Sequence, residues 1–450
     1  MGRYRTMGMA GCLLWALGGC RQAPPGAHQQ ISVFRDITLV DGTGSAPREH
    51  MDMVIQGDSI SYIIETGKDT IAPDAIVLDG RGETLMPELI GCHEHLGLLK
   101  GTSMSAANYT RENILRQLIK YEHYGVGEVL SLGSDHDLIF GLRDSSHAGL
   151  IPGARIYSAG FGFGVPTGAP PSSIGMDKVY RPVSPEEAIR DVQQLAPLHP
   201  DVIKLWLDDF GGKLAKMDPA VYAAIIREAH RQGIRVAAHV YYLADARRLV
   251  ADGIDILAHS VRDSLIDEPL LAAMKVGRVT YIPTLSLDQF QFVYGDHPDW
   301  INDPFFKQSL EPGVWDTLTS PAYILRLRKD PSLAIKRKAF ETVLLNVKRV
   351  YDAGIPVVLG TDSGAQPVRA QGFSEHHELE LLVKAGLTPL EAITVATRNG
   401  ARLLRISEQT GTLEPGKRAD FMVLSKNPVT DIKGTASILS VWQNGIKAGE

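Results

Sequence analysis

Two histidines, His93 and His95, follow the apolar run LMPELIGC with one residue between them. An extended strand sends alternate side chains to one face. A pair at i and i+2 therefore aims two imidazoles at one point, which is what a metal ion asks of its first ligands. Other groups able to hold a divalent cation end further apolar runs: Lys204 in DVIKLW, His239 in VAAH, His259 in DILAH and Asp362 in GTDSG. Each alone has a plain structural reading. Lys204 reads as a strand-end lysine, His239 and His259 as hydrogen-bonded core histidines, and Asp362 as the cap of a following helix. Their joint recurrence at strand ends points to a metal centre, provided that the fold brings those ends together.

The elements that would do so repeat along the chain. After residue 85 the pattern is an apolar strand, a loop, an amphipathic helix and a glycine. The helices end in YEHYG125, HRQG233, VADG253, MKVG277 and YDAG354, where glycine supplies the left-handed residue that stops a helix. The strands lack clean alternation, as strands buried on both faces of a parallel sheet do. Eight candidates are Leu85–Cys92, Val126–Leu132, Ala154–Ala159, Asp201–Leu207, Ile234–His239, Asp255–His259, Arg278–Thr284 and Pro356–Asp362. Helices are predicted between them, with Ser184-Pro-Glu-Glu187 and Thr388-Pro-Leu-Glu391 as capping boxes and Leu333 to Ala353 as one long helix. Eight such units predict an α/β fold, a (β/α)8 TIM barrel, whose active site lies at the C-terminal strand ends. A doubly wound open sheet is the alternative, without a Gly-rich dinucleotide fingerprint to support it.

The flanks differ. Residues 31–84 and 408–450 carry short strands and turns, and predict one small β-sandwich domain built from both chain ends around a barrel over residues 85–407. Two long loops, at residues 160–181 (Gly- and Pro-rich) and 285–332 (rich in Phe, Tyr and Trp), are expected over the barrel mouth as lids or substrate walls, with local helical packing as the alternative for the second. His376-His377-Glu378 reads as a polar helix start.

The first residues read as a targeting segment. Arg3 and Arg5 precede an apolar stretch from Met7 to Leu17, too short to span a bilayer. Leu17-Gly-Gly-Cys20 resembles a bacterial lipobox. It implies a signal peptide over residues 1–19, acylation of Cys20, a tether over residues 20–30, and an exported protein anchored to a bacterial membrane at the periplasmic face or cell surface. Of the three cysteines, Cys12 leaves with the signal and Cys20 carries lipid, so Cys92 stands alone and no intrachain disulfide is expected. The net charge of −6 and the lack of a basic run with interleaved aromatics argue against a nucleic-acid partner.

LMPELIGCHEH resembles the metal-binding opening of the amidohydrolase superfamily, with Glu88 and Gly91 where Gly and Asp are usual. The likeness continues through GVGEVLSLGS, DVIKLW, VAAHVYY, DILAHS, VVLGTDSG, LVKAGLTPLEAITVATRNGARLL and GTLEPGKRADFMVL. A strand-four lysine resembles the binuclear, prolidase- and carboxypeptidase-like branch. That resemblance implies two divalent metal ions, zinc suiting imidazole and carboxylate ligands. His93, His95 and Asp362 would hold one, His239 and His259 the other, and a Lys204 carboxylated by CO2 would bridge them. It also implies the chemistry: a bridging hydroxide attacks an amide carbonyl, Asp362 acts as general base and then acid, and Tyr241 or Tyr242 steadies the oxyanion. The expected substrate is a small amide, a dipeptide or N-acyl amino acid, with Arg262 as a clamp for its carboxylate or else paired with Asp263 or Asp267. A cyclic amidase, esterase, lactonase or phosphotriesterase is the enzymatic alternative, and a non-catalytic binding lipoprotein the alternative outside enzymes. A mononuclear deaminase fits less well, because Ser260, Val261 and Arg262 follow His259 without the expected Glu.

Overall fold

The computed structural model describes Gly2, residues 30–171 and residues 175–449. The signal segment, Cys20 and most of the tether expected before residue 30 lie outside the described residues. The small domain is built from both ends of the chain. Ile31–Leu39, Arg48–Gln56, Ser59–Glu65, Ile76–Asp79 and Thr84–Pro87 share one sheet with Phe421–Leu424, Ile438–Gln443 and Ile446–Lys447. The join is Thr84–Pro87, parallel to the first strand and antiparallel to Phe421–Leu424. Phe34 sets its edge against Phe421 and Trp442, with ring centroids 5.0 Å away in each case. Met53, Ile55, Leu85 and Val423 complete that core. The run expected as one strand from Leu85 to Cys92 is therefore two. Pro87 has no N–H with which to extend a ladder, and the barrel strand begins at Leu89.

Seven barrel strands are regular: Leu89–Glu94, Val126–Ser131, Arg155–Ser158, Ile203–Trp206, Val236–His239, Ile256–Ala258 and Thr280–Ile282. The eighth, expected over Pro356–Asp362, is an irregular extended segment. It still bonds to both neighbours, with Val358 N donating to Tyr281 O at 3.0 Å and Cys92 N donating to Leu359 O at 2.8 Å. It ends at Asp362, whose φ of 60° no strand accommodates. At the opposite seam Phe163 bridges the third and fourth strands, its N–H donating to Lys204 O at 2.8 Å. The ring of eight is thus closed by backbone hydrogen bonds at both seams.

Helices fill the crossovers, among them Arg111–His123, Pro219–Arg231 and Leu333–Asp352. Four of the expected helix-ending glycines are left-handed. At the fifth the left-handed turn falls on Arg278 rather than Gly277. The aromatic insert after the seventh strand packs as short helices, including Leu285–Phe290, Pro304–Ser309 and Pro321–Arg328. Its Trp300 and Phe306 close on Phe373 at centroid distances of 5.0 and 4.7 Å. His376, His377 and Glu378 fall in the opening turns of the helix Phe373–Lys384, as expected, and that packing buries them. The Glu378 carboxylate accepts the N–H groups of Leu285 and Ser286 at 2.6 and 2.7 Å.

Glu88, between the two domains, is 4% exposed and neither of its carboxylate oxygens has a hydrogen-bond partner. Burial pushes its pKa well above the usual carboxylate range, with Asp420 adding to the effect. The folded carboxyl thus holds its proton to higher pH than an unfolded glutamate does, and its contribution to stability falls as pH rises through the folded pKa. Glu88→Gln removes this titration. Relative to wild type, its melting temperature should climb as pH is raised from 5 to 8. A difference that stays flat across thermal melts at the two pH values refutes this reading.

Candidate metal centre

The closed ring turns separate strand ends into one cluster. His93 lies on the first strand and His95 just beyond it. Their Nε2 atoms lie 3.3 and 2.8 Å from the same oxygen, Asp362 Oδ1. Lys204, on the fourth strand, is fully buried and places Nζ 3.4 Å from His93 Nε2. The His259 ring sits 4.4 Å from that of His93 and 4.2 Å from that of His239. Ligand atoms of His93, His259 and Asp362 all fall within 4.8 Å of one another. All six sequence candidates thus form one contiguous group.

Local backbone makes this convergence possible. His259 and Asp362 both take positive φ, 71° and 60°. Such conformations in non-glycine residues cost about 1–3 kcal/mol and persist where the surroundings enforce them. For His259 the enforcing contacts are its N–H to Ile282 O at 2.8 Å and Nδ1 to Thr284 Oγ1 at 2.8 Å. For Asp362 they come from its neighbours: Thr361 Oγ1 lies 2.6 Å from Glu94 Oε2 and 2.7 Å from Glu375 Oε1, and Ser363 Oγ donates to Glu94 at 2.8 Å. Glu94, the middle residue of the motif, therefore braces the opposite face. Gly133 makes room for the lysine: a Cβ there would lie 2.8 Å from Lys204 Cβ.

Electrostatics suit a cation. Burial holds the imidazoles of His93 and His259 well below their ordinary pKa, and that of His239 below it, so they are neutral with lone pairs free at pH 7. Burial likewise lowers Lys204 to about 7 against the pull of Asp362. Burial opposes charge on Asp362, but Arg369, His95 and His93 outweigh it and hold the carboxyl well below its usual range. His239 Nε2 is buried and has only Asp208 Oδ2, at 3.3 Å, facing it. Four imidazoles, a carboxylate and an amine that is partly uncharged at neutral pH are a donor set that fits a borderline divalent ion such as zinc.

Around this group the structure sorts the other candidates. Arg262 pairs with neither Asp263 nor Asp267. Its Nε donates to Asp288 Oδ1 at 2.6 Å and its Nη1 to Val240 O at 3.1 Å, with only 4% of the side chain exposed. Tyr242 donates its hydroxyl to Asp209 at 2.9 Å and is drawn away from the cluster. The Tyr241 ring lies 5.4 Å from the Arg262 guanidinium. Cys92 is buried and its thiol is pushed up by burial, as suits an inert core residue.

Several residues escaped the sequence reading. Asp208 Oδ2 is 3.3 Å from His239 Nε2. Ser134 Oγ is 2.5 Å from His95 Nδ1 and fixes that ring. Arg369 Nη1 contacts Asp362 Oδ2 directly. Asp208 carried a usable signal, four residues past Lys204 at the same strand end. Ser134 and Arg369 lie on loops without periodicity.

Comparison with known proteins shows what the chain is similar to. Among curated proteins, ochratoxinase of Aspergillus niger is 28% identical over 244 residues, covering 53% of this chain and 42% of the relative. The chain therefore matches less than half the length of that relative. Among solved structures, a Xaa-Pro dipeptidase with bound methionine in its active site superposes with a TM-score of 0.72 at 22% identity, covering 93% of this chain and 99% of the other. Aspergillus niger ochratoxinase superposes with a TM-score of 0.70 at 21% identity, covering 93% and 95%. These superpositions show the shared fold. The amidohydrolase family profile matches residues 84–447, the whole barrel with the closing strands of the small domain, and the chain belongs to that family.

Proposed function

We propose that this protein is a metal-dependent hydrolase that cleaves the C–N bond of a small amide, a dipeptide or N-acyl amino acid. The observation that carries the reading is that His93, His259 and Asp362 converge within 4.8 Å, with His95, Lys204 and His239 in contact with that trio. His93, His95 and Asp362 would hold one divalent ion and His239 and His259 a second, both most simply zinc, with Lys204 carboxylated by CO2 as the bridge. A lysine whose pKa lies at about 7 supports that bridge, because only the uncharged amine reacts with CO2. Bound ions would supply Lewis acidity and an acidified water.

The chain's own groups do the rest. Asp362, ionised and anchored by His93 and His95, accepts the proton of the attacking water and returns it to the leaving amine. Tyr241, rather than the committed Tyr242, supports the carbonyl oxygen as its charge develops. Neutral histidines keep their lone pairs available across the physiological range. Export and anchoring through acylated Cys20 complete the proposal, which places the site at the periplasmic face of a bacterial membrane or at the cell surface.

Zinc-reconstituted protein should show its highest kcat/KM on dipeptides and N-acyl amino acids within a panel that also holds hydantoins, lactones and a phosphotriester. A maximum on a lactone or phosphotriester refutes the amide reading.

A further inference from the structure

The end of the barrel opposite the metal centre holds a cleft of about 440 Å³. Its walls come from Arg235 just before the fifth strand, Thr280 at the start of the seventh, Ile355 to Val358 where the eighth segment begins, and Asn399 and Arg402 of the helical run 389–404. A smaller cleft of about 230 Å³ shares Arg235 and adds Arg405. Active sites of this fold lie at the C-terminal strand ends, so this concavity at the N-terminal ends is separate from the metal centre.

The charge around it is unbalanced. Arg235 is half-buried, and its recorded hydrogen bond runs from Nη2 to Leu403 O at 2.5 Å. That uses one of the five donors a guanidinium carries. Arg402 and Arg405 are exposed. Arg398, four residues before Arg402, touches Thr43 O through Nη1, while its buried Nε has no hydrogen-bond partner. Among the described residues, no carboxylate is ion-paired with any of these four arginines. The carboxylates whose charge reaches them are committed elsewhere. Asp255 is held by His230 and Val236 N, and Asp201 by Ser158 N, while Asp41 and Glu414 pair with Arg48 and Lys417. The arginines also repel one another. Burial and then the charge of Arg405 hold Arg235 below its ordinary pKa, and burial and then Arg402 do the same to Arg398.

We infer that this cleft is a binding site for a phosphate monoester. A concavity lined by charge of one sign draws in its counter-ion, and guanidinium forks match phosphate oxygens in paired hydrogen bonds. Arg235 and Arg402 reach the cleft from different elements, so a dianion balances both where a single carboxylate balances one. Tyr351 and Thr280 add hydroxyl groups, and Ile355, Pro356 and Val357 supply an apolar wall for the esterified group. The volume is that of a small-molecule site and exceeds what a bare phosphate fills. The inference is independent of the hydrolase reading.

Isothermal titration of the protein as purified with phenyl phosphate reads the site directly. Wild type should bind it, and more tightly than inorganic phosphate. Arg402→Gln has no side-chain partner to lose among the described residues, and it should weaken binding by about 10-fold or more, the factor of one charge-assisted contact. Arg402→Lys should recover part of the loss. Lys204→Met, altered at the metal centre, should bind as wild type does. Monomeric short-chain phosphatidic acid distinguishes the source of the ester: tighter binding than phenyl phosphate makes it a lipid headgroup, weaker binding a soluble molecule. Wild type that does not bind phenyl phosphate, or binding unchanged in folded Arg402→Gln, overturns the site. Binding lost in Lys204→Met and kept in Arg402→Gln places the phosphate on the metal centre and overturns it equally.

Discussion

Asp362→Asn is expected to lower turnover by at least about 1000-fold while the protein stays folded. An amide cannot accept the proton that a carboxylate takes, and positioned acid–base catalysis alone contributes about 10²–10⁴-fold. The substitution also weakens a ligand and leaves Arg369 without its anion. The fold should survive, because the positive φ at Asp362 is one that Asn tolerates and the bracing contacts run through Thr361 and Ser363 rather than Asp362 itself. Steady-state kinetics with a melting curve on the same sample provide the check. Activity within tenfold of wild type removes Asp362 from the chemistry.

Lys204→Met is the second large effect. Methionine fills the same buried channel beside Gly133 with no charge and no amine to carboxylate. Without the bridge, bound metal should fall to one ion per chain or fewer, and turnover should fall by more than about 1000-fold, comparable to losing a principal catalytic component. Bicarbonate gives a second arm. Because Lys204 titrates near 7, a substantial share of its amine is uncharged at neutral pH and open to CO2. Added bicarbonate should speed zinc uptake by metal-free wild type and leave Lys204→Met unaffected. If the two proteins take up zinc alike with and without bicarbonate, Lys204 is a structural lysine.

The clustering of the six candidate residues was legible in the sequence for one physical reason. A parallel barrel delivers every strand's C-terminal end to the same mouth, so chemistry-bearing residues at apolar run ends converge whatever their separation along the chain. His93 and Asp362 are 269 residues apart and 3.3 Å apart in space. What stayed hidden is set by loop conformation. Arg262 was expected to find a partner in its own segment. Its actual partner, Asp288, comes from the insert after the seventh strand, whose short helices have no clear period. Arg369 depends on a turn tied to Tyr294 across 75 residues. The irregular eighth strand reflects backbone strain at Asp362, which composition does not reveal. His376, His377 and Glu378 open a helix as expected, but their burial was not legible. The aromatic insert that buries them is a tertiary fact.

Metal content of the protein purified without chelator tests the central claim most directly. Elemental analysis of wild type should find two divalent ions per chain, chiefly zinc, lost on dialysis against a chelator and regained on adding zinc with bicarbonate. Folded wild-type protein that carries no divalent metal as purified, and takes up none when zinc is supplied, contradicts the account.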